Sequence, residues 1–167
     1  GCSQLGDDQK MTQNVLKGLV NHPNAAGVLV MGLGCENNNI SVFKTVLGEV
    51  DENRVKFMST QDFDDEIGEG LRLIGELAEY AKNQKREECD VSELVVGLKC
   101  GGSDGFSGLT ANPLIGRFSD KLISKGGSTV LTEVPEMFGA ETILMNRCVN
   151  EEVFYKTVSL INDFKDY

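Results

Sequence analysis

The residues best equipped for chemistry lie in one stretch, Lys99-Cys100-Gly101-Gly102-Ser103-Asp104-Gly105-Phe106-Ser107-Gly108. Its four glycines let the backbone approach a ligand closely and take up positive φ. Successive amide N–H groups in such a loop can form an anion-binding nest, here just ahead of a helix start near Asn112. Ser103, Asp104, Ser107 and Thr110 add hydrogen-bonding groups suited to a hydroxylated, carboxylated small molecule. A merely flexible surface loop is the alternative, and the Cys100 at the tip of an apolar run weighs against it. A second constellation is Cys35-Glu36. A thiolate beside a carboxylate could ligate a transition metal, or the carboxylate could serve as acid or base. The same adjacent charge disfavours a nucleophilic thiolate. Glu133 and Glu136 flank Pro135 and form a third, which taken alone reads more readily as the acidic first turn of a helix than as a catalytic pair.

Two of these sites sit at the end of one repeated phrase. Val28-Leu29-Val30-Met31-Gly32-Leu33-Gly34-Cys35 is echoed by Leu94-Val95-Val96-Gly97-Leu98-Lys99-Cys100. Each is an apolar run followed by Gly-Leu-x-Cys and a polar, turn-forming stretch, the pattern of a strand buried on both faces. Two such strands would carry both thiols to the carboxyl edge of one parallel sheet, where open α/β sheets bind ligands. A strand that ends in a small buried cysteine is the plainer reading of each copy taken alone. Nucleotide binding is weakly supported. The Walker pattern is absent, and Gly32-Leu33-Gly34 is followed by Asn37 where a dinucleotide fingerprint needs its third glycine.

The elements that must position these groups alternate in type. A helix is expected over 7–20 from Met11, Val15, Leu16 and Leu19, and it is stopped by Asn21-His22-Pro23. Strands are expected over 27–33, 54–58, 94–98 and 128–134. Segment 40–47 fits a short helix or a turn. A long helix after residue 60 carries the stripe Phe63, Ile67, Leu71, Ile74, Leu77, Ala78 and Ala81. Further helices are expected over 112–124, with Pro113 in its first turn, then over 136–146 and over 151–166, the last capped by Asn150. Strand–helix alternation predicts an α/β fold, a mostly parallel sheet flanked by helices in a Rossmann-like three-layer arrangement, with 1–167 as a single α/β domain.

Composition bounds the rest. The 167 residues carry a formal net charge of −10, which argues against nucleic acid and against an anionic membrane as partners. No apolar stretch is long enough for a membrane span. Five cysteines (Cys2, Cys35, Cys89, Cys100 and Cys148) without scaffold spacing fit a reducing, cytoplasmic setting. Cys89 and Cys148 read as structural, and the single histidine, His22, as an exposed loop residue. The opening Gly1-Cys2-Ser3-Gln4 lacks an initiator Met, so a piece of a longer protein is expected.

The segment Leu94 to Pro113, running through Lys99-Cys100-Gly101-Gly102-Ser103-Asp104-Gly105-Phe106-Ser107-Gly108-Leu109-Thr110-Ala111-Asn112, closely resembles the signature of the altronate/galactarate dehydratase family. Gly1-Cys2, the segment Val28 to Glu36, and Thr132-Glu133-Val134-Pro135-Glu136 with Phe138-Gly139-Ala140-Glu141 match it too, in order along the chain. The resemblance implies the central part of a longer sugar-acid dehydratase. It implies Fe2+- or Mn2+-assisted conversion of an altronate- or galactarate-type acid to a 2-keto-3-deoxy acid. The partners are then the sugar acid and the missing N- and C-terminal domains of the same polypeptide, and a homodimer is compatible with the resemblance. Within that frame Glu36, Asp104 and Glu133 are the catalytic candidates. Gly101, Gly102, Ser103, Ser107, Thr110, Asn112 and Glu136 are the substrate-binding candidates, and Cys35 and Cys100 the metal ligands. No Lys-His pair offers the base, which is expected from the missing parts. Two rivals remain: a non-catalytic carboxylate- or phosphate-binding module, and an iron–sulfur or soft-metal protein using Cys2, Cys35 and Cys100.

Overall fold

A computed structural model describes residues 4–102 and 104–167, which divide into two compact units, Gly1–Glu87 and Glu88–Tyr167. Each is described by itself.

In the first unit, helix α1 (Gly6–Val20) leads into strand β1 (Val28–Gly32). The crossover helix α2 (Ile40–Leu47) then returns the chain to β2 (Val55–Ser59), and α3 (Glu66–Lys82) follows. β1 and β2 pair in parallel, with Val28 opposite Val55 and Gly32 opposite Ser59. A parallel pair requires such a crossover. The local signals set the helix ends. Asn39 accepts the Val42 N–H at the start of α2, and Asp65 accepts the Gly68 N–H at the start of α3. Gly48 at φ 76° closes α2. The core gathers Val20, Phe43, Leu47 and Val55, with Val28, Val30 and Phe57 packed around them. Val55 and Met58 are both buried and point to opposite faces of β2, so that strand is covered on two sides. Gly70 of α3 lies against the Met58 sulfur. Arg54 ties the turn after α1 in place, its guanidinium donating to the carbonyls of Val20, His22 and Ala25.

In the second unit, β3 (Val95–Leu98), the crossover helix α4 (Ala111–Ile123) and β4 (Ser128–Leu131) form the second parallel pair, with Val95 opposite Ser128 and Leu98 opposite Leu131. A helical turn at Val134–Met137, the short α5 (Glu141–Met145) and the long α6 (Glu151–Asp166) complete it. Leu122 and Ile161 are buried, and Phe138 meets Phe164 edge-on at 6.2 Å. Asn150 caps α6 by accepting the Val153 N–H.

The α/β character and the parallel pairing are as expected, and so is His22 as an exposed loop residue, while segment 40–47, which by sequence fits a helix or a turn, forms α2. Four expectations change. The repeated strands do not share a sheet, since β1 pairs only with β2 and β3 only with β4, so no continuous three-layer sheet is formed by the described residues. Nor are both strands buried on two faces. Met31 of β1 is 57% exposed and Val95 of β3 is 61% exposed, because a two-stranded sheet leaves each strand with an unpaired edge and little helix cover. The third change concerns α1 and α3. The inward face of α3 is Gly70, Leu73 and Leu77, while Ile67, Leu71 and Ile74 face outward, and on α1 Met11, Val15 and Leu19 are exposed. A helix with two apolar stripes does not declare from periodicity which one meets the sheet. Finally, the helix expected over 136–146 is broken at Gly139, which takes φ 89°. No described helix is long and apolar enough to cross a membrane.

Candidate active site

The second unit collects its reactive side chains at the carboxyl ends of β3 and β4. Lys99 and Cys100 leave the end of β3, while Thr132 and Glu133 leave the end of β4. Glu133 adopts φ 64°, ψ 73°, the left-handed region that a residue with a Cβ enters at a cost of roughly 1 kcal/mol. It is the only described non-glycine residue with positive φ. This conformation ends β4 at Leu131, earlier than the strand pattern predicts, and turns the Glu133 carboxylate back over β3. One oxygen accepts from the Lys99 ammonium at 2.9 Å and the other from the Cys100 N–H at 3.3 Å. Thr132 ties the same corner together by donating its hydroxyl to the Leu98 carbonyl at 2.8 Å.

The electrostatics follow from this packing. The hydrogen bond from Lys99, followed by those from Cys100, holds the Glu133 carboxyl below its usual range. The Glu133 carboxylate in turn holds the Lys99 ammonium above its own. The hydrogen bond to Glu133, and burial after it, push the Cys100 thiol up. The cluster is therefore an ammonium–carboxylate pair beside a protonated thiol, and it is not built as a cysteine nucleophile. Sγ of Cys100 and one oxygen from each of Glu133 and Glu136 lie within 4.8 Å of one another. A sulfur and two carboxylates at this spacing form a mixed soft and hard donor set that fits a divalent transition metal. The sulfur favours iron over manganese.

These groups open onto a cavity of about 780 Å³ within the same unit. Gly101, Gly102, Ser107, Asn112, Glu133 and Glu136, all sequence candidates, line it together with Cys100. Two other candidates build the loop. Oδ1 of Asp104 accepts the N–H groups of Phe106 and Ser107, and the Thr110 hydroxyl donates to the Phe106 carbonyl. Ser103 lies outside the described residues, as does Cys2.

Cys35 and Glu36 belong to the first unit, at the carboxyl end of β1. Glu36 there serves as the anion of its own turn. Its Oε1 accepts the Leu33 N–H at 2.9 Å, and its own backbone N–H is the largest of several that hold the carboxyl below the usual range. A Cβ at Gly32 would come within 2.9 Å of Glu36 Oε1 and of Ile40 Cγ1, so a larger residue there would displace those side chains. Within the second unit the assembled donor set is Cys100 with the carboxylates of Glu133 and Glu136. Lys99, Thr132 and Arg147 line the cavity without having been singled out. Lys99 was visible as the neighbour of Cys100, whereas nothing in the sequence around Arg147 marks it.

A carboxylate-paired lysine, a thiol and two acids at the carboxyl ends of parallel strands, above a polar cavity, stand where α/β proteins bind small polar molecules. Residues 91–167 match the D-galactarate/altronate dehydratase C-terminal family, and residues 1–82 match the D-galactarate dehydratase/altronate hydrolase second domain. The chain is 64% identical over its whole length to altronate dehydratase of Bacillus subtilis and 56% identical to altronate dehydratase of Escherichia coli, covering 34% of each. It is 37% identical to the L-threo-forming galactarate dehydratase of Escherichia coli, over 87% of the chain and 30% of that protein. The chain belongs to the altronate/galactarate dehydratase family. It spans about a third of the length of these relatives.

Proposed function

We propose that this chain is part of a carbon–oxygen lyase that dehydrates a sugar acid of the altronate or galactarate type to a 2-keto-3-deoxy acid. The observation that carries the reading is the Lys99–Cys100–Glu133–Glu136 cluster on the cavity of the second unit, in a chain 64% identical to a protein named altronate dehydratase. Such a reaction removes the proton α to a carboxylate and expels the β-hydroxyl. It needs charge stabilisation at the carboxylate and a proton for the departing oxygen.

Cys100, Glu133 and Glu136 would hold Fe2+ or Mn2+. Such an ion would supply Lewis-acid polarisation of the substrate carboxylate. To hold the ion, Cys100 would act as a thiolate, its proton passing to solvent, with Glu133 and Glu136 as the carboxylate donors. Lys99, the protonated group of the cluster, takes the part of proton donor to the departing hydroxyl. Gly101, Gly102, Ser107 and Asn112 receive the hydroxyl groups. Proton abstraction at the α-carbon is assigned to the rest of the longer polypeptide, because Lys99 is held protonated and Glu133 is held as a weak base.

The test is an anaerobic preparation of the full-length polypeptide, assayed for bound iron and manganese and for keto-acid formation from altronate and galactarate. Turnover that requires metal, with bound metal falling by more than half in Cys100→Ser, is the expected result. Iron with labile sulfide and no turnover would overturn the reading in favour of a cluster protein. Stoichiometric sugar-acid binding without turnover would leave a binding module.

A further inference from the structure

Two cations line the cavity of the second unit, Lys99 and Arg147. Lys99 is committed to Glu133 at 2.9 Å. The Arg147 guanidinium makes no hydrogen bond or ion pair to any described residue, although it borders the same cavity as three carboxylates, Asp120, Glu133 and Glu136. Such a group remains available for an external anion. The segment that carries it is also firmly held. Arg147 donates its N–H to the Leu144 carbonyl at 3.0 Å, and the Cys148 thiol contacts the Leu144 carbonyl at 3.6 Å and the Thr157 hydroxyl at 3.5 Å. Lys165 of α6 pairs with Glu141 of α5 at 3.3 Å and sits 5.2 Å from the centre of the Phe138 ring. The corner between α5 and α6 is thus fixed at several points. Presenting the guanidinium from a fixed corner lowers the ordering cost of binding.

We propose that Arg147 is the substrate-anchoring residue of this site, taking the carboxylate of the sugar acid as a bidentate partner. The inference deepens the dehydratase reading and rests on it for the identity of the anion. The chemistry Arg147 recognises is a planar or tetrahedral oxyanion, which a sugar-acid carboxylate or a phosphate can each supply. Arg147 is not given a bond-breaking role. Its loss is felt in binding, while the Lys99–Cys100–Glu133 cluster is left intact.

The experiment uses the full-length polypeptide with Arg147→Ala and Arg147→Lys. Steady-state kinetics with altronate and galactarate are measured beside calorimetric titrations with each acid and with inorganic phosphate. Losing a charge-assisted bidentate contact raises KM and Kd by roughly 10- to 100-fold. The expected result is that increase in Arg147→Ala with kcat changed less than threefold, a smaller increase in Arg147→Lys, and partial recovery on adding guanidinium. If the wild type turns over sugar acids and Arg147→Ala keeps its KM and Kd, the inference fails and the dehydratase reading stands. If the wild type binds an acid without turnover and Arg147→Ala does not bind it, the inference stands and the dehydratase reading fails. Tight binding of phosphate alone, abolished in Arg147→Ala, keeps the anion site and overturns its assignment to a sugar acid. Because Arg147 is exposed and its side chain makes no hydrogen bond or ion pair among the described residues, both variants are expected to fold, which their melting temperatures check.

Discussion

At the scale of single residues, Glu133 shows how a side chain acquires a role that its neighbours in sequence do not announce. As one of two acids beside a proline it reads as helix decoration. Only its left-handed backbone turns the carboxylate back onto Lys99 and Cys100. Asp104 shows the converse, since a residue suited to a ligand is used by the loop's own N–H groups. Asp51 gives a residue-scale test in the first unit. It accepts the N–H of Asn53 at 2.9 Å and the Tyr80 hydroxyl at 3.0 Å, and these bonds, the Asn53 backbone first, hold its carboxyl below the usual range. A carboxyl with a depressed folded-state pKa adds stability that is present above its unfolded value, about 3.9, and is lost as pH falls through the folded value. Asp51→Asn is therefore expected to melt below the wild type at pH 7, with the gap closing below about pH 4. A gap that is constant from pH 7 to pH 3 would sink this assignment.

At the scale of elements, helix and strand types were legible because apolar periodicity and caps act over a few residues. Asn150 before α6 and the alternation of Val55 and Phe57 in β2 are examples. The buried face of α3 was not legible, because Ile67-Leu71-Ile74 and Gly70-Leu73-Leu77 have the same period. The break of 136–146 at Gly139 was missed because glycine lowers helix propensity without dictating a stop. Glycines give a paired prediction of opposite sign. At Gly127, a Cβ would lie 2.5 Å from Leu122 Cδ1 and 3.0 Å from the Val91 carbonyl oxygen, so Gly127→Ala should destabilise by about 1–3 kcal/mol. Gly75 lies inside α3 with nothing near its missing Cβ, so Gly75→Ala should stabilise by about 0.5–1 kcal/mol. Urea titration of both variants reads the signs directly, and a neutral Gly127→Ala would show that Leu122 repacks freely.

At the scale of the whole molecule, a net charge of −10 should keep this chain off polyanions. It should pass through a heparin column at about 0.1 M salt and bind an anion exchanger at pH 7. Retention on heparin would reveal a basic surface strong enough to override the net charge. By itself the sequence determined the order of helices and strands, the acidic balance, and the glycine loop that carries the family resemblance. Each of these rests on patterns within a dozen residues or on simple counts. The tertiary structure alone decided that β1 and β3 belong to separate strand pairs, and that Glu133 closes on Lys99 across 34 positions of chain. It alone decided that Arg147 borders the same cavity. The reason is physical: periodicity and capping energies are local, whereas strand partners and converging side chains are selected by contacts between segments that are remote in sequence.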